Sequence, residues 1–392
     1  MTSAGLQPLR VAMLTHSTNP RGGVVHAMHL SEALTALGHE VVLFAPDAKG
    51  HGFFRQPACG TMPFRVGPAV AEMTAMVEQR IADYVRHFET LPGSRSGSGF
   101  DLYHAHDGIS GNALATLKQR GLIPAFFRTV HHIDHFADPR LMDLQERSIN
   151  EADAFFTVSA KWKSALAELG HRAEIVGNGV DTGRFSPAWS GEQTALRDRL
   201  QLSRGPIFLA IGGIEARKNT LGILDAFRQL KAVRPEAQLV IAGGASLLDH
   251  GAYQDEFRSE LALLHDHAAA VHVIGPVPDE DMPNLYRLAD ALVFPSLKEG
   301  FGLVVLEAMA SGVPVVTSSI APFTEYLGRD DAVWCDPHHS ASIAEAMALA
   351  LVPPVRERLI TNGLATAARL SWARVAEAHL STYADMRKKA DA

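Results

Sequence analysis

ALVFPSLKEGFGLVVLEAMASGVPVV, Ala291–Val316, decides how the chain is read. A short apolar run (Ala291–Pro295) ends in a polar, glycine-punctuated loop (Ser296–Gly302). An apolar segment of helical period (Leu303–Ala310) follows, Ser311-Gly312 stops it, and Val313–Val316 is a second β-branched run. Strand, loop, helix, strand in that order is one βαβ unit of a parallel sheet.

Ligands of such a unit collect outside the carboxyl ends of the strands, where loop meets helix. There the amides of Gly300, Phe301, Gly302 and Leu303 and the positive end of the helix dipole suit an anion such as a diphosphate. The two glycines carry no side chain to hold a ligand off the backbone. Glu299 lies in the loop and Glu307 about two helical turns further on. The first is placed to accept hydrogen bonds from sugar hydroxyls and the second from a ribose. As isolated residues they read as a solvated loop acid and an exposed helix acid.

A chain of 392 residues exceeds one ordinary core and implies two domains, and 47% hydrophobic with 20% charged residues is a globular composition. A net charge of −7 argues against a dedicated nucleic-acid binder, whose affinity comes mainly from phosphate neutralisation. Two cysteines, Cys59 and Cys335, are too few for a disulfide framework or a cysteine-based zinc site. The N-terminal segment lacks the apolar core of a signal peptide, and no uncharged apolar run reaches the length of a membrane span. A cytoplasmic enzyme without membrane association is the expectation.

Working outward, Leu9–Leu14 reads as a strand, Val24–Leu37 as a helix and Val41–Ala45 as the next strand. Gly22 and Gly23 sit at the strand-to-helix turn, where they let backbone approach a phosphate or simply make a turn. Residues 46–69 read as a long loop, Val70–Leu91 as a helix and Pro92–Gly99 as a flexible connector. Two histidine clusters, His104-x-His106-Asp107 and His131-His132-Ile133-Asp134-His135, each follow an expected strand. Their residue types fit substrate contact, a divalent-metal site or packing. Ser159 is a candidate N-cap for a helix from Ala160. Residues 187–205 read as a linker. Beyond it, Pro206–Ile211 is a strand followed by GGIEARKNT, whose Arg217 and Lys218 at a helix start are suited to clamp a diphosphate and stabilise a departing anion. Alone, the pair reads as solvated surface.

The string from Ala291 resembles the donor site of retaining glycosyltransferases of family 4, with their Glu-x7-Glu motif followed by EAMA-x-G-x-PVV. The arrangement GG…LSEALTALGHEV and the string NGVD…F resemble further parts of the same family, so that the resemblance covers nearly the whole chain. It implies an α/β fold of GT-B architecture, two Rossmann-like domains with parallel sheets facing across a cleft. Residues 1–186 would be the acceptor-side domain, 187–371 the nucleotide-sugar donor domain, and 372–392 a helix crossing back to the first.

The activity implied is transfer of a sugar from a nucleotide-diphosphate-sugar to an acceptor with retention of configuration, by front-face departure and attack. No metal and no cofactor beyond the co-substrate is implied, and the acceptor is left open among a sugar, a small molecule and a lipid-linked group. By the same resemblance Lys218 with Arg217 neutralises the diphosphate, assisted by the loop amides and by Gly22 and Gly23. Glu307 holds the ribose, Glu299 the sugar hydroxyls, and backbone at Gly275–Val277 the base. His131, with His132 its near rival, contacts the donor sugar. Many relatives carry an arginine where this chain has Gly213, which raises whether Arg217 takes its place. The alternatives are a sugar-nucleotide epimerase on the same fold, a metal-dependent hydrolase using the histidines, and a non-catalytic sugar-nucleotide binder.

Overall fold

The computed structural model describes residues 7–91, 99–244 and 251–390, with side chains as far as residue 385. All of the expected connector but Gly99 lies outside the described residues. The chain divides into two compact units, Met1–Asn178 with Trp372–Ala392, and Gly179–Ser371.

The first unit runs β1 (Arg10–Leu14), α1 (Gly22–Ala36), β2 (Glu40–Asp47), β3 (Gly60–Arg65), α2 (Met73–Thr90), β4 (Leu102–Ala105), α3 (Gly108–Gln119), β5 (Phe127–Val130), α4 (Pro139–Asn150), β6 (Ala154–Thr157), α5 (Ala160–Glu168) and β7 (Ala173–Ile175). The second continues with α6 (Glu192–Arg199), β8 (Ile207–Ile211), α7 (Thr220–Lys231), β9 (Gln238–Ala242), α8 (Gly251–Ala262), β10 (Val271–Gly275), α9 (Met282–Leu288) and β11 (Ala291–Phe294). It ends with α10 (Leu303–Ala310), β12 (Val315–Ser318), α11 (Phe323–Tyr326), β13 (Val333–Cys335), α12 (Ser340–Ala350) and α13 (Pro353–Arg369). The closing helix, α14 (Trp372–Ala390), belongs to the first unit.

Each unit is built on one wholly parallel sheet, ordered β3-β2-β1-β4-β5-β6-β7 in the first and β10-β9-β8-β11-β12-β13 in the second. A parallel sheet is covered on both faces, so its inner strands are apolar without alternation. Leu102–Ala105, Ala291–Phe294 and Val315–Ser318 are buried at every position. Strand order reverses between β1 and β4, and again between β8 and β11. At such switch points adjacent loops diverge and leave room for a ligand.

Two expectations are corrected. Residues 46–69 are not one long loop, because β3 pairs with β2 from Val42↔Gly60 to Asp47↔Arg65. Pro63 and Gly60 hide it from sequence reading, yet an edge strand tolerates both. The first unit ends at Asn178 rather than at residue 186. Val180 bridges to Ser371, Arg184 pairs with Asp279 at 2.7 Å, and Arg287 Nε donates to Ser186 O at 2.7 Å, tying this segment to the second sheet's helices. Ser159 is the N-cap residue of α5 as expected, although its hydroxyl makes no cap hydrogen bond. By contrast Asp107 and Ser110 form a capping box at the start of α3, and Asp138 with Pro139 opens α4.

The helix α14 packs on the first unit through aromatic rings and histidines. Trp372 stacks on His29 at 5.0 Å between ring centroids, and the Tyr383 hydroxyl lies 2.5 Å from His104 Nδ1. His26 Nδ1 donates to Asn178 Oδ1 at 2.7 Å and His379 Nδ1 to Val375 O at 2.7 Å, while Nε2 of both rings is buried without a partner. Burial outweighs these bonds and lowers the pKa of His26 to about 4 and of His379 to about 3. In the unfolded chain the same rings take up a proton near 6.5. Their neutral packing therefore holds in full above that pH, and stability falls as the pH drops below it, because only the unfolded chain gains protons. We expect the thermal unfolding midpoint at about pH 5 to lie below that at about pH 7.5, with roughly 2 kcal/mol lost per imidazole. His379→Leu should shrink the difference, and a pH dependence unaltered in that variant would mean other groups cause it.

Candidate active site

At the switch point of the second sheet, the loop after β8 and the loop after β11 meet. Arg217 Nη1 lies 2.7 Å and Lys218 Nζ 2.6 Å from the same atom, Glu299 Oε1. Arg217 also reaches Glu215 at 3.3 Å, and Lys218 Nζ stands 4.3 Å above the ring of Phe294. Glu299 and Lys218 are almost wholly buried, whereas the Arg217 side chain is 42% exposed and open to a ligand. Burial opposes the charge of Glu299, but Lys218 and Arg217 outweigh it and hold its carboxyl below the usual range. The backbone secures this geometry. Leu297 N donates to Arg217 O at 2.9 Å, and Asn219 Nδ2 donates to Pro295 O at 3.3 Å and Pro337 O at 2.6 Å, joining the loops after three strands.

Gly300, Phe301 and Gly302 lead into α10. Gly302 takes φ +89°, and a Cβ there would lie 2.5 Å from Phe323 Cε1, so only glycine fits. Phe301 turns its ring inward onto Tyr326 (4.4 Å between centroids) and accepts from the Tyr326 hydroxyl through its carbonyl at 3.2 Å. Leu303 is the first residue of the helix, whose opening amides have no partner within it. Glu307, on the same helix, is half-buried and accepts at Oε2 from the Tyr286 hydroxyl at 2.6 Å. Val277 is half-buried just beyond β10. All these residues belong to the second unit.

In the first unit the histidines separate. His131 Nε2 lies 3.2 Å from His106 Nδ1, in a cluster with His26 and His104. His132, 56% exposed and 3.0 Å from Asp134, and His135 are on the surface. Of the doublet, it is His131 that turns inward. Gly22 and Gly23 are not in the turn but are the first two residues of α1. The sequence alone does not reveal where the turn stops, since glycine is a poor helix former and reads as loop. A Cβ on Gly23 would meet His131 Cδ2 at 3.4 Å, whereas one on Gly22 would meet nothing. Among the described residues no three His, Cys, Asp or Glu side chains are grouped to hold a metal ion.

Several residues escaped the sequence reading. Glu215, buried beside Arg217, was legible only as one more charge in GGIEARKNT. Tyr286, Asn219, His26 and Met13 act through tertiary contacts with no local signal.

Comparison with known proteins gives the family and the fold. Residues 20–184 match Glycosyltransferase Family 4 and residues 192–365 match Glycosyl transferases group 1. A D-inositol 3-phosphate glycosyltransferase of Acidothermus cellulolyticus is 30% identical, covering 96% of this chain and 90% of the relative. The chain belongs to glycosyltransferase family 4. This glycosyltransferase is also 28% identical to a D-inositol 3-phosphate glycosyltransferase of Xylanimonas cellulosilytica over 98% of its own length and 99% of the relative's. Anabaena HepE in complex with UDP and glucose shares its fold at TM-score 0.76 and 17% identity, covering 96% of this chain and 99% of that one. Sucrose-phosphate synthase from Thermosynechococcus elongatus does so at TM-score 0.79 and 22% identity, with the same coverage. Both likenesses are of fold, and the architecture is GT-B. No helix among the described residues is long and apolar enough to cross a membrane.

Gly213, where the family resemblance raised an arginine, has φ +75°, and a Cβ there would lie 2.9 Å from Gly244 O and 3.0 Å from Gly243 O. The backbone of the next loop fills the space. Gly213→Arg should cost about 2 kcal/mol or more, from the left-handed conformation and the clash together. At about 2–4 °C per kcal/mol in units of this size, thermal unfolding would show a drop of several degrees. Gly22→Ala, into open space, should unfold at the wild-type midpoint or slightly above it.

Proposed function

We propose that this glycosyltransferase moves a sugar from a nucleotide-diphosphate-sugar to an acceptor with retention of configuration and without a metal ion. The observation that carries the reading is the convergence of Arg217 and Lys218 on Glu299 beside the start of α10. Two cations at a helix N-terminus are suited to receive a diphosphate, and in a water-poor site they stabilise the charge that develops on it as it leaves. On this reading Lys218 and Arg217 neutralise the leaving group, with the amides of Gly300–Leu303 and those of Gly22 and Gly23 assisting. Glu299, both cations sitting on Oε1, offers its other oxygen to sugar hydroxyls. Glu307, steadied by Tyr286, accepts from the ribose, and the backbone around Val277 holds the base. His131 contacts the donor sugar near the reacting carbon.

Charge supplied by fixed cations makes a metal unnecessary for this step. With no side chain identified as a nucleophile for double displacement, front-face departure and attack follows. On this reading the donor goes with the second unit and the acceptor with the first, and UDP-sugars come first in the search because a structure sharing this fold contains UDP and glucose. The acceptor class is a sugar, a small molecule or a lipid-linked group, with inositol phosphates suggested by the relatives' names. The free cysteines fit a reducing, cytoplasmic setting.

A thermal-shift panel of UDP-, GDP-, ADP- and dTDP-sugars, with and without EDTA, tests the donor. A donor at a hundred times its Kd adds about 2.7 kcal/mol. One base class should raise the midpoint by several degrees irrespective of EDTA. With that donor, Lys218→Ala should lower kcat/KM by about two orders of magnitude, roughly 3 kcal/mol of transition-state stabilisation, and the product should keep the donor's anomeric configuration by NMR. Undiminished turnover in the variant removes the diphosphate clamp, and an inverted product removes the front-face step.

A further inference from the structure

Three side chains from three neighbouring strand ends of the first unit stand in a row. Met13 lies on β1, His106 just after β4 and His131 just after β5. His106 Nε2 is 2.9 Å from Met13 Sδ, and His106 Nδ1 is 3.2 Å from His131 Nε2. Met13 is wholly buried and His106 nearly so, which keeps the order of the row from shifting.

A neutral imidazole has one N–H and one bare nitrogen, and a thioether has no proton to give. Burial keeps both rings neutral, the neighbouring imidazoles adding to its effect. Because Met13 Sδ can only accept, His106 Nε2 carries the proton. His106 Nδ1 is then bare, so His131 Nε2 must be the donor in the bond between them. That leaves His131 Nδ1 with a lone pair. This atom is not among those sealed in the interior without a partner, and the residue is only half-buried.

We infer that Met13 and His106 are positioning residues that fix the tautomer of His131, so that Nδ1 faces the transferred sugar as a hydrogen-bond acceptor. The inference rests on the transferase reading for its sugar, but the tautomer itself depends only on the row of three. An acceptor nitrogen takes the proton of a sugar hydroxyl in a hydrogen bond and turns the negative end of its dipole toward the reacting region. In glycosyl transfer that region gains positive charge at the transition state. The opposite tautomer would turn an N–H there and oppose that charge.

Long-range proton–nitrogen NMR of the 15N-labelled, ligand-free protein near pH 7.5 reads histidine tautomers directly. We expect His106 and His131 both as Nε2–H. Met13→Leu keeps the volume but removes the thioether that obliges His106 to carry its proton on Nε2, so both rings should move toward Nδ1–H. With the donor named by the thermal-shift panel, kcat should then fall about tenfold while the donor KM stays within about twofold. A wild-type His131 found as Nδ1–H, rings unmoved by Met13→Leu, or moved rings with unchanged kcat would each overturn the proposal. If Met13→Leu does not fold, the wild-type spectrum alone decides. No transfer by the wild type would remove the transferase reading and leave the tautomer to be judged from the spectrum.

Discussion

Two cations share one carboxylate oxygen in the second unit, and much of that unit's loop structure follows from the need to keep them there. Removing Lys218 and Glu299 from water costs several kcal/mol per ion unless partners and geometry offset it. The offset comes from contacts less than 3 Å long and from the aromatic face of Phe294. Such contacts need loops that do not drift. Hence the cross-links from Leu297 to Arg217 and from Asn219 to Pro295 and Pro337, and hence the switch point, which alone brings residues 217 and 299 to one place. A buried ion pair of this kind is weak evidence for stability. On the proposed function its better explanation is preorganisation, with charges already held where a leaving anion would develop.

The first unit holds a different kind of polar interior. Beside the buried Arg80–Asp83 pair it packs a cluster of neutral imidazoles, three of them given a proton position by a partner that can only accept: Asn178 Oδ1 for His26, Val375 O for His379, Met13 Sδ for His106. A neutral ring costs far less to bury than a charge. It does carry an orientation, and a row of rings transmits that orientation from the core outward to His131. The helix α14 completes this interior through Tyr383 and His379, which gives the chain's return to the first unit a chemical role besides covering apolar surface.

What was legible in the sequence was local. Ala291–Val316 could be read as strand, loop, helix and strand because the period of apolar residues changes within it, and Leu303–Ala310 is the observed helix to the residue. Lys218 and Glu299 stood out through their place at strand-to-helix loops, and Glu307 through its spacing from Glu299 along the helix. What was illegible depended on contacts between distant segments. β3 hides behind Pro63 and Gly60, and is a strand only because β2 offers it an edge. Tyr286 gives no sign of holding Glu307 until α9 and α10 pack, and nothing in a lone methionine says that it sets a proton on a histidine. The segment Gly179–Ser186 looked like the end of one domain because the family string NGVD…F sits there, yet its bonds run to the second unit.

Gly213 shows how one backbone contact can redistribute chemistry. Its neighbour Gly212 and the facing Gly243 also have positive φ, and the turns after β8 and β9 press together, Gly212 N and Gly213 N both donating to Ala242 O. A side chain at 213 would have to pass through the carbonyls of Gly243 and Gly244. The site therefore cannot take its second cation from that position. The second cation is Arg217, one residue before the buried lysine and more exposed than it, and Glu215 and Glu299 hold its guanidinium. A cation reaching in from the exposed side needs counter-charges to hold it, where one rooted in the sheet's own turn would be held by the backbone.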